Sequence, residues 1–159
     1  MLFAFFNRCF FFTQALIMNL NWSSIQTTAV RLQPGEDLKS EVSRIACDHQ
    51  LQAACVISAV GSLSEVSLRL ANRAETTTFE GKHEIISLSG TLSKNGIHLH
   101  MSVANSDGQV FGGHVMEGSV IHTTLEIVIA ELKELVFTRE PCSIFGYKEL
   151  IVNARSEGD

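Results

Sequence analysis

Apolar and polar residues alternate along this chain with two periods, and the places where the period changes mark its elements. Thr28-Ala-Val-Arg-Leu32 alternates like a short strand and runs into Gln33-Pro-Gly-Glu-Asp37, a turn ending on an Asp that can cap a helix. Leu38, Val42, Ile45, Ala46 and His49 then recur at helical spacing, while Lys39, Glu41, Ser43 and Arg44 take the wet side. That spacing predicts an amphipathic helix over roughly 37–50, with His49 a packing or surface residue at the edge of the stripe. Beyond it the period is two. Residues 53–60 form a continuous apolar run that suits a strand covered on both faces and closed by Gly61-Ser62. Glu65-Val-Ser-Leu-Arg-Leu70 reads as a half-buried strand with Ser67 and Arg69 outward, and residues 84–92 as another, followed by a hairpin turn at Lys94-Asn95-Gly96. Residues 121–131 fit a helical face through Leu125, Val128, Ile129 and Leu132, but β-branched residues crowd the segment and a strand is expected. Residues 135–139 supply a further strand.

One helix among successive strands joined by short turns implies an α+β fold, a largely antiparallel or mixed sheet with one main helix packed on it. The expected layout is an N-terminal extension over 1–26, one domain over 27–152 and a solvated tail over 153–159. Within the extension, MLFAFFNRCFFFTQALI is rich in Phe, but Arg8 and Gln14 divide it into pieces too short to span a membrane. Arg8 is also misplaced for a signal peptide, and the reading favoured is a start codon placed too early, with Met18 as the true beginning. No membrane association is expected.

Composition narrows the function classes. The formal net charge is -5, from 12 Lys and Arg against 17 Asp and Glu, so no overall positive field attracts phosphate backbones. Cys9, Cys47, Cys55 and Cys142 form no C-x-x-C pair, which speaks against a zinc ribbon or a disulfide framework. A reducing cytoplasm with mostly buried thiols is expected. Gly-x-Ser-x-Gly is absent, and no Gly-rich phosphate loop precedes the helix, so no catalytic residue is assigned and the balance leans away from an enzyme.

The chemistry concentrates in HLHMSVANSDGQVFGGHV, residues 98–115, which holds three of the six histidines. If Leu99, Met101 and Val103 face the core, then His98, His100, Ser102 and Ala104 share the other face. Across the turn, Phe111 and Val115 belong to the core, leaving Val110, Gly112, His114 and Met116 opposite. Core residues pair with core residues only if cross-strand numbers sum to an even total. A five-residue loop, Asn105-Ser-Asp-Gly-Gln109, closing Ala104 on Val110 meets that condition and sets His100 opposite His114. Three imidazoles about 5–7 Å apart at Cβ can converge on one ion at about 2.0–2.1 Å, with zinc the best match. Small residues, Ser102 and Gly112 with Gly113 beside them, would line the site and leave room for a bound water or ligand. A fourth, open position would polarise that water, the chemistry of hydrolysis or hydration. Nothing places Glu117 or Glu126 near it as a base. Asp107-Gly108 reads as turn chemistry, and His83 and His122 as structural residues.

The sequence resembles the plants-and-prokaryotes conserved (PPC) domain over roughly residues 27–152. The resemblance is carried by Arg31-Leu-Gln-Pro-Gly-Glu-Asp-Leu38, Val60-Gly-Ser-Leu-Ser-Glu-Val-Ser-Leu-Arg69, Gly81-Lys-His-Glu-Ile-Ile-Ser-Leu-Ser-Gly90 and His98-x-His…Asp107-Gly108…Gly112-Gly-His114. It implies a compact α+β domain assembling as a homotrimer, with His98, His100 and His114 holding a metal ion, zinc first. In plants similar domains follow AT-hooks in DNA-binding nuclear proteins, which implies a DNA-associated, regulatory role for a stand-alone domain of this kind. This chain has no Arg-Gly-Arg core to enter a minor groove. The plant-type segment Gly-Arg-Phe-Glu-Ile, to which partner contacts are attributed, stands here as Gly81-Lys-His-Glu-Ile85, making Gly81, Lys82, His83 and Glu84 partner-contact candidates with altered chemistry. Two further readings stand beside the regulatory one: a metal-dependent small-molecule enzyme using the three-His site, and an oligomeric binding or scaffold module.

Overall fold

A computed structural model of the chain describes residues 20–143 and 146–156. The elements run β1 (Ile25–Leu32), α1 (Leu38–Asp48), β2 (Ala54–Arg69), β3 (Thr76–Ser93), β4 (Gly96–Ala104), β5 (Val110–Val115), β6 (Val120–Leu132), β7 (Leu135–Pro141) and β8 (Lys148–Ala154). Six strands make one sheet in the order β1-β6-β2-β3-β4-β5, with every strand pairing antiparallel. The β3-β4-β5 meander curls back until β5 meets the end of β2, Leu68 opposite Val115 and Arg69 opposite His114. β7 and β8 form a separate two-stranded sheet, tied to the rest by Phe137 N–H donating to the Gln52 carbonyl and by the Asn95 side-chain amide donating to the Phe137 carbonyl.

The single helix begins where the sequence supplies a cap. Asp37 accepts from the Ser40 amide at 2.8 Å, and its second oxygen accepts from the Gly118 amide at 2.7 Å, so the cap also pins the turn before β6. Leu38, Val42, Ile45 and Ala46 then face the sheet, as their spacing predicts, and pack among Leu63, Val66, Leu68, Leu99, Met101, Val103, Leu125, Ile127 and Ile129. Each such Leu or Ile removed from water stabilises the fold by about 1.5–3 kcal/mol before entropy is charged.

Several expectations change. Gly61-Ser62 does not end a strand: β2 passes through it and bends, with register shifts against β6 between Val56 and Ser58, Gly61 and Leu63, and Leu63 and Glu65. Gly61 is needed there because a Cβ would press on the Thr124 carbonyl. Nor is the run over 53–60 covered on both faces, since Ile57 is 53% and Val60 63% exposed. β3 begins at Thr76, eight residues before the expected strand, and β8 was not anticipated; it extends to Ala154, into the segment read as tail. The thiols are not mostly buried: Cys47 is exposed, Cys55 and Cys142 are half-buried, and all three are free. Cys9 and the reading of Met18 as the start lie outside the described residues. Among the described residues no helix is long and apolar enough to cross a membrane.

Candidate metal centre

The site stands on a hairpin whose turn residues fix its register. The Asn105 side-chain oxygen accepts from the amides of Asp107 at 3.1 Å and Gln109 at 2.9 Å, while Gly108 takes a left-handed φ of 75° that few other residues adopt. The loop closes Ala104 on Val110, and pairing continues without a shift to His100 opposite His114. Leu99, Met101, Val103 and Val115 are buried, which sends the histidines to the other face as parity requires. Phe111 is half-buried and stacks on Phe79 at 4.3 Å between ring centroids. The two glycines cause no bulge. At Gly112 a Cβ would press on the Met101 carbonyl, and at Gly113 it would fall 2.8 Å from the Arg69 carbonyl, so bare backbone lets β5 fit between β4 and β2.

The three imidazoles converge. Their ring centroids are 5.1 Å (His98–His100), 4.9 Å (His98–His114) and 5.4 Å (His100–His114) apart. One ligand atom from each lies within 4.8 Å of the others, and the Nε2 atoms of His98 and His100 are 3.1 Å apart. Two nitrogens bound tetrahedrally at 2.0–2.1 Å would be roughly 3.3 Å apart, so this pair already has the spacing of co-ligands. Nδ1 of His114 is buried without a hydrogen-bond partner among the described residues. An orphaned imidazole nitrogen beside two others fits a transition-metal ion.

Electrostatics favour the neutral, ligand form of His98 and His114. Burial pushes the His114 pKa down from 6.5 to about 4, with His98, Arg69, His100 and Lys39 acting in the same direction. His98 is also lowered, first by burial and then by His100, Arg139 and Arg69, against an opposing pull from Glu149. Neutral imidazoles at pH 7 are what a metal requires.

The imidazoles open into a cleft of about 1090 Å³. Gly113 lines it as expected, but Ser102 and Gly112 are not among its lining residues, and the Ser102 hydroxyl is engaged with Ser87 at 2.6 Å. Instead the walls carry Arg69, Arg73, Arg139, Tyr147 and Lys148, none of which sequence reasoning connected with the histidines. Only the polar-face position of Arg69 gave any signal. Glu117 and Glu126 do not line the cleft; among the described residues its one carboxylate is Glu149. The partner-contact candidates lie elsewhere, beside a second recess of about 460 Å³. Gly81 and Lys82 are exposed there and Glu84 is exposed outside the recess, whereas His83 is buried, bonded through Nδ1 to the Gly81 carbonyl at 2.8 Å and set edge-on to Phe111.

The chain as a whole is similar to proteins already known. The sequence model of the Plants and Prokaryotes Conserved (PCC) domain, the family abbreviated PPC above, matches residues 21–133. A Bifunctional protein GlmU from Synechococcus is 45% identical over 84% of this chain, and the chain spans only 22% of that protein. AT-hook motif nuclear-localized protein 10 of Arabidopsis thaliana is 36% identical over 60% of the chain, covering 29% of its own length. Among solved structures, a hypothetical protein from Salmonella shares 43% identity over 86% of this chain and 99% of its own, with a TM-score of 0.83. A plant- and prokaryote-conserved protein from Pyrococcus horikoshii superposes with a TM-score of 0.70 at 28% identity, over 82% of this chain and 95% of its own.

Proposed function

The chain belongs to the Plants and Prokaryotes Conserved domain family, and from that premise we propose that it is a zinc-binding regulatory domain whose protein ligands are His98, His100 and His114. The observation that carries this reading is the convergence of three imidazole rings with one ligand atom from each within 4.8 Å of the others. When bound, the ion supplies a Lewis-acid centre with a position left for an exchangeable ligand. The protein's part is to hold the rings in register, through the Asn105 turn and the paired glycines.

The proposed regulatory role includes association with DNA, a reading supported by similarity to the AT-hook motif nuclear-localized proteins of Arabidopsis. Here it is proposed to operate through partner proteins, because the chain carries a net charge of -5 and no minor-groove hook. The proposed assembly is a homotrimer within a cytoplasmic setting. Ile57 and Val60 on β2 and Ile86 on β3 support self-association, since all three are more than half exposed on adjoining strands of the isolated chain. Sedimentation at the mass of one chain would remove the trimer. A second reading, a metal-dependent enzyme, draws support from the cleft beside the imidazoles, although no base other than Glu149 lines it.

Elemental analysis of the purified protein and of a His100→Ala, His114→Ala double variant tests the metal reading. One equivalent of metal per chain in the first and none in the second is expected. Equal metal content in both, or none in either, contradicts it.

A further inference from the structure

The cleft beside the imidazoles gathers positive charge in a chain that is acidic overall. Arg69, Arg73, Arg139 and Lys148 line it against the single carboxylate of Glu149, in a chain whose net charge is -5. Two of these cations stand on neighbouring strands, Arg69 at the end of β2 and Arg139 on β7. Arg69 pairs in register with His114 where β2 meets β5, and its guanidinium carbon lies 5.0 Å from the centre of the Tyr147 ring. Arg139 donates from Nη2 to the Thr91 hydroxyl at 2.8 Å, and Thr91 is the cross-strand partner of His98. The Nε of Arg139 is buried with no hydrogen-bond partner, and neither arginine is in an ion pair among the described residues. Half-buried guanidinium groups outside a direct ion pair cost free energy unless something completes them.

We infer that this cleft binds a small organic oxyanion, a carboxylate or phosphate monoester, held between the three-histidine face and the guanidinium groups of Arg69 and Arg139. The inference rests on the reading of that face as a metal centre. Guanidinium forks match the paired oxygens of carboxylate and phosphate in a way a lysine does not. Ile97 and the ring of Tyr147 supply apolar wall for an organic body. The cleft's volume suits a metabolite-sized molecule, whereas a duplex would need cations laid out along a track of phosphates.

Calorimetric titration of the metal-loaded full chain with malonate and with inorganic phosphate, at matched ionic strength, tests this. Saturable binding of at least one probe is expected, weakened about tenfold or more in Arg69→Gln and Arg139→Gln. Metal content should be unchanged in both variants, which also reports that they fold. Glu149→Gln removes an exposed competing carboxylate and should tighten the anion. Equal affinity in wild type and both arginine variants, or no binding to a fully metallated protein, overturns the inference while leaving the metal centre standing. A protein that takes up no metal overturns the metal reading instead. Displacement of the bound probe by a short DNA duplex would reassign the cleft to backbone phosphate and overturn the small-molecule assignment.

Discussion

Bare backbone at Gly112 and Gly113 lets β5 approach two neighbours at once, and the approach brings His114 to His98 and His100. At this scale the histidine register was legible, because burial of Leu99, Met101 and Val103 leaves only one parity for the paired strand. The arginines were not legible. Arg69 reaches the site through a pairing between residues far apart in sequence, and Arg139 through a hydroxyl on β3, and neither leaves a local pattern. Burial of His114 has a consequence for stability in the metal-free protein. Its pKa is about 4 folded against 6.5 for the free side chain, so between those values the unfolded chain binds more protons. Stability should therefore be highest above pH 6.5 and fall as the pH drops towards 4, with His98 contributing in the same direction. Thermal midpoints of chelator-treated protein across that window should decline, and decline less in His114→Gln. An identical slope in the variant would contradict the assignment.

Element boundaries followed the sequence where a side chain enforces them and departed from it where bending does. Asp37 is the first kind. It satisfies the Ser40 amide inside α1 and the Gly118 amide ahead of β6, so one carboxylate starts a helix and closes a turn. Asp37→Ala should cost about 1–3 kcal/mol, above an isolated cap because two donors lose their partner. A urea midpoint within error of wild type would show that water replaces the carboxylate at both amides. β6 also matched expectation: Leu125, Ile127 and Ile129 are buried in alternation, the period of a strand rather than of the helix the same residues could have made. β2 is the second kind, since Gly61-Ser62 reads as a stop but serves as a bend. The early part of β3 and all of β8 escaped notice because their residues are mostly exposed, and pattern reading detects burial.

For the whole molecule, charge and shape point in different directions. The chain is acidic overall, yet the cleft beside the histidines is lined by four cations and three imidazoles. The α+β class and the sheet-with-one-helix arrangement were legible from the pattern, whereas the curl that joins β5 to β2 is a property of the finished sheet. An acidic surface with its cations recessed should not hold duplex DNA by itself, so no retardation of a duplex is expected at physiological salt in an electrophoretic shift series. Retention that weakens steeply with added salt would contradict action through partners. The central claim, that three histidines from one hairpin hold a zinc ion, is tested most directly by X-ray absorption at the zinc edge of the purified protein. The predicted spectrum has three imidazole nitrogens at about 2.0–2.1 Å and one further light ligand. A sulfur shell at about 2.3 Å would place the ion on cysteine instead, and the absence of imidazole scattering would contradict the claim.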